Sequence, residues 1–218
     1  MDFLLVHGST QSPRGYDRLA AALAGRGHRT VALDLAGDRP EWTAAEYAGE
    51  ARQSGLTEPV LVVHSAAGAL APAIAAATGA RHIAWLAAVV PDPGRSVLDE
   101  AGADPGMFGT EWRTWTAGLE EEPAETAYFL FHDCDLETLR WALSTTRLWN
   151  PRTVFAATAP TTGLPPSTYV LPVEDRTLTP EWMRRVATER LDTDAIEVPG
   201  GHCPHVSRPE EVAALLDR

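Results

Sequence analysis

Three side chains that could share one nucleophilic reaction each stand just past a short apolar run. The stretch Val60-Leu61-Val62-Val63-His64-Ser65-Ala66-Ala67-Gly68 carries a buried-strand pattern straight into a serine followed by small residues. A serine on such a strand-to-helix turn is forced out at the carboxyl end of the strand with its hydroxyl exposed, and small neighbours let strand and helix pass closely. Val173-Glu174-Asp175-Arg176 follows a second run, and Pro199-Gly200-Gly201-His202 follows a third. Hydroxyl, imidazole and carboxylate together are the parts of acyl transfer: Ser65 attacks, His202 takes its proton, and Asp175 orients the imidazole and stabilises its charged form. A developing oxyanion needs N–H donors. Ala66 offers one at the start of the following helix, and Ser9 offers a second in the turn His7-Gly8-Ser9-Thr10. His7 reads as a structural residue of that turn. No metal and no cofactor is called for.

Alternatives stand beside this reading. The familiar frame around a serine of this kind is Gly-x-Ser-x-Gly, and here its glycine positions hold Val63 and Ala67, with Gly68 one residue late. Taken alone, the stretch reads equally as a serine capping a core helix. What shifts the balance is the order Ser65, Asp175, His202, with each residue just past a strand, where open α/β sheets bind ligands. Glu174 is a rival acid and His205 a rival base. Asp92 is a remote alternative acid.

The elements that must position these residues follow from periodicity. Near-continuous apolar runs at Phe3–Val6, Thr30–Leu33, Val60–Val63, Ile83–Leu86, Thr168–Leu171 and Ile196–Val198 predict strands covered on both faces. Helical stretches alternate with them. Tyr16–Ala24 stops at Gly25, and Thr43–Gln53 opens with a Thr43/Glu46 capping box. Ala66–Ala77 is alanine-rich, Pro180–Glu189 follows the cap Thr179, and Ser207–Leu216 starts with a capping serine. The alternation predicts a six-stranded, mostly parallel, doubly wound α/β sheet in a single domain over 1–218. The pattern lapses between about 92 and 151. That segment holds Trp112, Trp115, Trp141 and Trp149 with Phe108, Tyr128, Phe129 and Phe131, and predicts two or three helices folded over the sheet edge as a cap. Most of these aromatics should form the cap's own core, and a minority should face a pocket.

Composition bounds the partners. A net charge of −12 argues against a nucleic-acid partner and against docking on anionic lipid. No run approaches the ~20 apolar residues of a transmembrane helix. The opening Met1–Val6 is too short for a signal peptide and lacks a basic start. Two cysteines, Cys134 and Cys203, make no framework, so a reducing cytoplasm is expected. All 18 basic residues are arginine, which with the abundant alanine suggests a GC-rich bacterial source.

Together these residues resemble the compact α/β-hydrolases grouped with plant methylesterases, hydroxynitrile lyases and bacterial esterases. The resemblance spans nearly the whole chain. It rests on His7-Gly8-Ser9, Leu33-Asp34-Leu35-Ala36-Gly37, His64-Ser65, Glu174-Asp175-Arg176 and Gly201-His202. Phe131-His132-Asp133-Cys134-Asp135 resembles a cap-helix segment of bacterial members. The resemblance implies a Ser-Asp-His triad with backbone oxyanion donors and no cofactor. It favours Asp175, five residues before Pro180, over Glu174. It favours His202, behind a glycine pair, over His205, and gives Asp34 a structural role. Lyases of this group carry a lysine after the catalytic histidine and a threonine in the first oxyanion turn. This chain has Cys203 and Gly8 there and no lysine, so the resemblance points to the esterase branch. The expected reaction is hydrolysis of a small to medium apolar ester. Non-hydrolytic chemistry on the same scaffold, or a small-molecule receptor with a vestigial triad, are the alternatives.

Overall fold

The structure, a computed structural model, describes residues 1–35, 39–115 and 122–218, with the side chain of Trp115 outside the description. Ala36 and Gly37 of the resemblance segment also lie outside the described residues. Six strands form one parallel sheet: β1 (Asp2–Val6), β2 (Arg29–Leu33), β3 (Val60–His64), β4 (His82–Leu86), β5 (Ser167–Pro172) and β6 (Ala195–Val198). Their order is β2-β1-β3-β4-β5-β6. Phe3 pairs with Val60 and Asp2 with Arg29, so β1 bonds its two neighbours on opposite sides. The chain therefore reverses its winding between β1 and β3, and a crevice opens at their carboxyl ends.

Strand residues alternate between two cores because successive side chains point to opposite faces. Phe3, Leu5, Val62 and Leu86 pack on one face against Leu19 and Leu23 of α1 (Asp17–Gly25) and Val212 of α11 (Pro209–Leu216). Leu4, Val6, Leu61, Val63 and Trp85 pack on the other. There they meet Tyr47 of α2 (Ala44–Arg52), Ile74 of α3 (Ala71–Thr78) and Trp182 of α9 (Pro180–Leu191). Central β3 is buried along its whole length, whereas the edge strand β2 is partly open.

Local chemistry sets the helix bounds. The Thr43/Glu46 capping box forms, and the Thr179 hydroxyl accepts from the Trp182 N–H at 3.2 Å. Two starts differ from expectation. Ser65–Leu70 is a 3-10 segment, and α-helical bonding begins only at Ala71, beside Pro72. At the other site Ser207 does not cap. Arg208 precedes Pro209, which disfavours the α conformation there, so a short α10 (Pro204–Ser207) ends and α11 starts afresh.

Within 92–151 the described residues hold four short helices rather than two or three: α4 (Val97–Ala103), α5 (Thr110–Trp115), α6 (Pro123–Leu130) and α7 (Leu136–Leu143); α8 (Arg152–Ala156) follows before β5. The glycines at 106 and 109 and the prolines at 123 and 151 punctuate the segment. Phe131-His132-Asp133 is not helical; it forms the turn between α6 and α7. Phe129 and Phe131 pack with Cys203 and Val206, which ties this segment to the loop after β6. No helix among the described residues is long and apolar enough to cross a membrane.

Candidate active site

Ser65 leaves β3 with φ 54°, a left-handed conformation that a non-glycine residue adopts only under tertiary constraint. The constraint comes from the packing behind it. A Cβ on Gly68 would stand 1.8 Å from the Val89 carbonyl oxygen, so the close approach falls at Gly68. Val63, at the first glycine position of the familiar frame, is accommodated in the core beneath β3.

The three predicted residues come together. His202 Nε2 lies 2.9 Å from Ser65 Oγ, and His202 Nδ1 lies 2.7 Å from Asp175 Oδ2. The His202 and Asp175 side chains are almost wholly buried. The second carboxylate oxygen, Oδ1, accepts the Thr177 and Leu178 N–H groups at 2.7 and 3.1 Å. An acceptor-only carboxylate fixes the proton of His202 on Nδ1 and leaves Nε2 bare toward the serine hydroxyl.

The rivals are placed elsewhere. Glu174 is exposed and accepts the Gly200 N–H at 3.2 Å. His205 is fully buried, with no hydrogen bond on either ring nitrogen. Asp34 pairs with Arg147, and Asp92 with Arg190 at 3.5 Å. His7 is buried; its Nδ1 donates to the Gly8 carbonyl at 2.9 Å and its Nε2 accepts the Leu35 N–H at 3.2 Å. Burial lowers its pKa to about 4, so it is neutral at physiological pH.

Ser65 opens into a cavity of about 240 Å³. Ser9 and Ala66 line it beside the serine, and the Ser9 carbonyl is held by the Trp149 N–H. Val97, Leu98 and Ala101 of α4 form an apolar wall with Phe108, Trp112, Phe155 and Leu178. Of the expected aromatics, Phe108 and Trp112 thus reach the cavity. Trp149 is buried instead, donating its Nε1–H to the Tyr47 hydroxyl at 2.9 Å, and Trp141 lies under the Arg18 guanidinium. Phe155 was not foreseen, since it lies past the expected cap and carries no periodic signal. A larger hollow of about 450 Å³ lies at the opposite, amino ends of the strands, around Met1, Val60, His82 and Arg218. It is remote from the serine.

Among the described residues, one trio has metal-ligating types close together: His64, Cys203 and His205, with donor atoms within 4.8 Å of one another. His64 Nε2 is engaged with the His202 carbonyl at 3.0 Å, and Cys203 Sγ accepts from Gln11 Nε2 at 3.2 Å. Burial pushes the Cys203 thiol pKa well up, opposing the thiolate that a metal needs. The trio therefore reads as packing behind the site.

A family model described as the alpha/beta hydrolase family matches residues 3–215. The chain belongs to that family. Solved structures agree in fold. An extracellular α/β-hydrolase from a Paenibacillus species is 18% identical with a TM-score of 0.79, over 99% of this chain and 97% of that one. Polyneuridine aldehyde esterase is 22% identical with a TM-score of 0.78, over 99% and 98%. A pyrethroid hydrolase from Sphingobium faniae JZ-2 is 20% identical with a TM-score of 0.79, over 100% and 96%. At these identities the likeness is one of fold. A comparison with curated proteins finds no match.

Proposed function

We infer that this α/β hydrolase cleaves a carboxylic ester through an acyl-enzyme on Ser65. The observation that carries the reading is the continuous relay Asp175–His202–Ser65, with contacts of 2.7 and 2.9 Å, at the floor of an apolar cavity. His202 takes the hydroxyl proton as Ser65 attacks, and Asp175 stabilises the imidazolium. The N–H groups of Ser9 and Ala66 meet the oxyanion; losing one such donor typically costs about 3–4 kcal/mol. His202 then protonates the departing alcohol, and water releases the acid by the reverse steps.

The cavity suits a compact apolar group. An engineered apolar void of about 150 Å³ holds benzene, so about 240 Å³ fits a substituted ring or a short branched chain. The esterase and the pyrethroid hydrolase among the matching folds support ester chemistry. Two free thiols, Cys134 and Cys203, support a reducing, cytoplasmic setting. The net charge of −12 supports a small-molecule substrate over nucleic acid.

The test is turnover of para-nitrophenyl esters from acetyl upward, in wild type and Ser65→Ala. Turnover confined to short or compact acyl groups and lost in the variant is expected. Ester turnover that survives in Ser65→Ala would remove the acyl-enzyme.

A further inference from the structure

His64 immediately precedes the serine and is almost wholly buried. Its Nε2 lies 3.0 Å from the main-chain carbonyl oxygen of His202, 138 residues away. A carbonyl can only accept, so Nε2 carries the proton and Nδ1 is bare. Nδ1 has no hydrogen-bond partner and faces the turn after β1: a Cβ on Gly8 would stand 3.0 Å from it and 2.8 Å from Ser65 Cβ. The ring also meets the His202 ring at 4.8 Å and the His205 ring at 4.6 Å. Tyr16 packs on His205 at 4.8 Å, while its hydroxyl donates to the Val6 carbonyl at 3.0 Å. One side chain thus touches the oxyanion turn, the nucleophile turn and the loop that carries the base.

We propose that His64 is a positioning residue, whose Nε2–H holds the His202 main chain so that the His202 ring stays at bonding distance from Ser65. The proposal rests on the Ser65–His202 reading above. Its physical basis is the loop's need for a fixed anchor. His202 follows Gly200 and Gly201, residues that restrain the main chain least. The His202–Asp175 bond fixes the ring, but the His64 bond fixes the backbone from which the ring hangs. An apolar residue at 64 would fill the space and leave the buried His202 carbonyl without this donor. Burial, His205 and His202 all oppose protonation of His64, so the brace stays neutral and adds no like charge when His202 becomes cationic.

The test compares His64→Phe, His64→Gln and His64→Asn. The glutamine amide can reach the place of Nε2–H; the shorter asparagine amide cannot. In the phenylalanine and asparagine variants, kcat on a para-nitrophenyl ester should fall about 10- to 100-fold, with KM changed less than about two-fold. The rate of labelling by a fluorophosphonate should fall in parallel, and glutamine should restore most of both. The low-field proton resonance of His202 Nδ1–H, read without substrate, should move or broaden in the first two variants and return in the third. If the phenylalanine variant fails to fold, the glutamine–asparagine pair carries the same comparison. Folded variants that all keep wild-type kcat and an unmoved resonance would overturn the brace. If the wild type itself neither turns over nor labels, the ester-hydrolysis reading falls, and the resonance alone decides the brace.

Discussion

At the residue scale, the proposed relay rests on defined contacts of Asp175, His202 and Ser65. Asp175 spends Oδ2 on His202 and Oδ1 on two main-chain N–H groups, so it cannot rotate away. Asp175→Asn keeps the shape but presents an N–H to Nδ1 and favours the wrong tautomer. Its kcat should fall on the order of ten-thousand-fold, and that of Ser65→Ala on the order of a million-fold, in steady-state ester assays. His205 is the opposite case, a fully buried ring with both nitrogens unpartnered. His205→Phe removes two unsatisfied groups and adds the extra bulk of a six-membered ring; relief of the two buried polar atoms is expected to outweigh the tighter packing. It should stabilise the fold by about 1 kcal/mol, raising Tm by about 2–4 °C in thermal unfolding; a lower Tm would show that those nitrogens have partners in solution. At this scale the sequence made the meeting of Ser65, Asp175 and His202 legible, by type, order and position past strands. The engagement of Glu174 with Gly200 was not legible, since a hydrogen bond between loops leaves no local pattern.

At the element scale, the cavity wall depends on how α4 is held. Glu100 of α4 is 3% exposed and pairs with Arg190 of α9 at 2.6 Å, while the Trp182 Nε1–H donates to it at 3.3 Å. Without Glu100, Arg190 keeps only the longer ion pair to Asp92 at 3.5 Å, so the loss falls below the about 3–5 kcal/mol of a buried charge left wholly unpaired. Glu100→Ala should therefore lower the urea midpoint, and it should raise KM for apolar esters, because α4 supplies Val97, Leu98 and Ala101 to the cavity. An unchanged KM would separate α4 from the binding wall. The strands were readable because burial on both faces demands unbroken apolar runs. Helix starts were less so: Ser207 looks like a cap, yet its hydroxyl donates to Asp133 at 2.7 Å, a partner supplied by the segment between β4 and β5. The helices of 92–151 were also under-counted, because at six to eight residues they are too short to show a period. Likewise Gly68 looked misplaced by one residue until the 3-10 geometry of Ser65–Leu70 showed which residue passes Val89.

At the scale of the whole molecule, the winding reversal between β1 and β3 brings the Ser9 turn beside the Ser65 turn, while β5 and β6 deliver Asp175 and His202. The site is therefore assembled from segments far apart in sequence and should be lost with global folding. Acid should unfold it. His7, His64 and His205 are buried, and burial lowers all three pKa values, to about 4 for His7 and about 3 for His205. Well above pH 6.5 these rings are neutral both folded and unfolded and add no pH dependence. Below it the unfolded chain takes up protons that the folded chain refuses, so stability falls as pH drops toward the folded values. His7 alone contributes about 3 kcal/mol to this loss by pH 4, a large share of a typical 5–15 kcal/mol. Urea unfolding between pH 7 and 4.5 should show the decline, with a shallower slope in His205→Phe; equal slopes would mean that His205 titrates normally.

An acyl-enzyme on Ser65 is tested most directly by the site of covalent labelling with a fluorophosphonate, located by peptide mass spectrometry. One adduct per chain is expected, on Ser65, formed with loss of ester turnover and absent from Ser65→Ala. An active enzyme that takes no adduct, or takes it on another residue, would contradict an acyl-enzyme on Ser65.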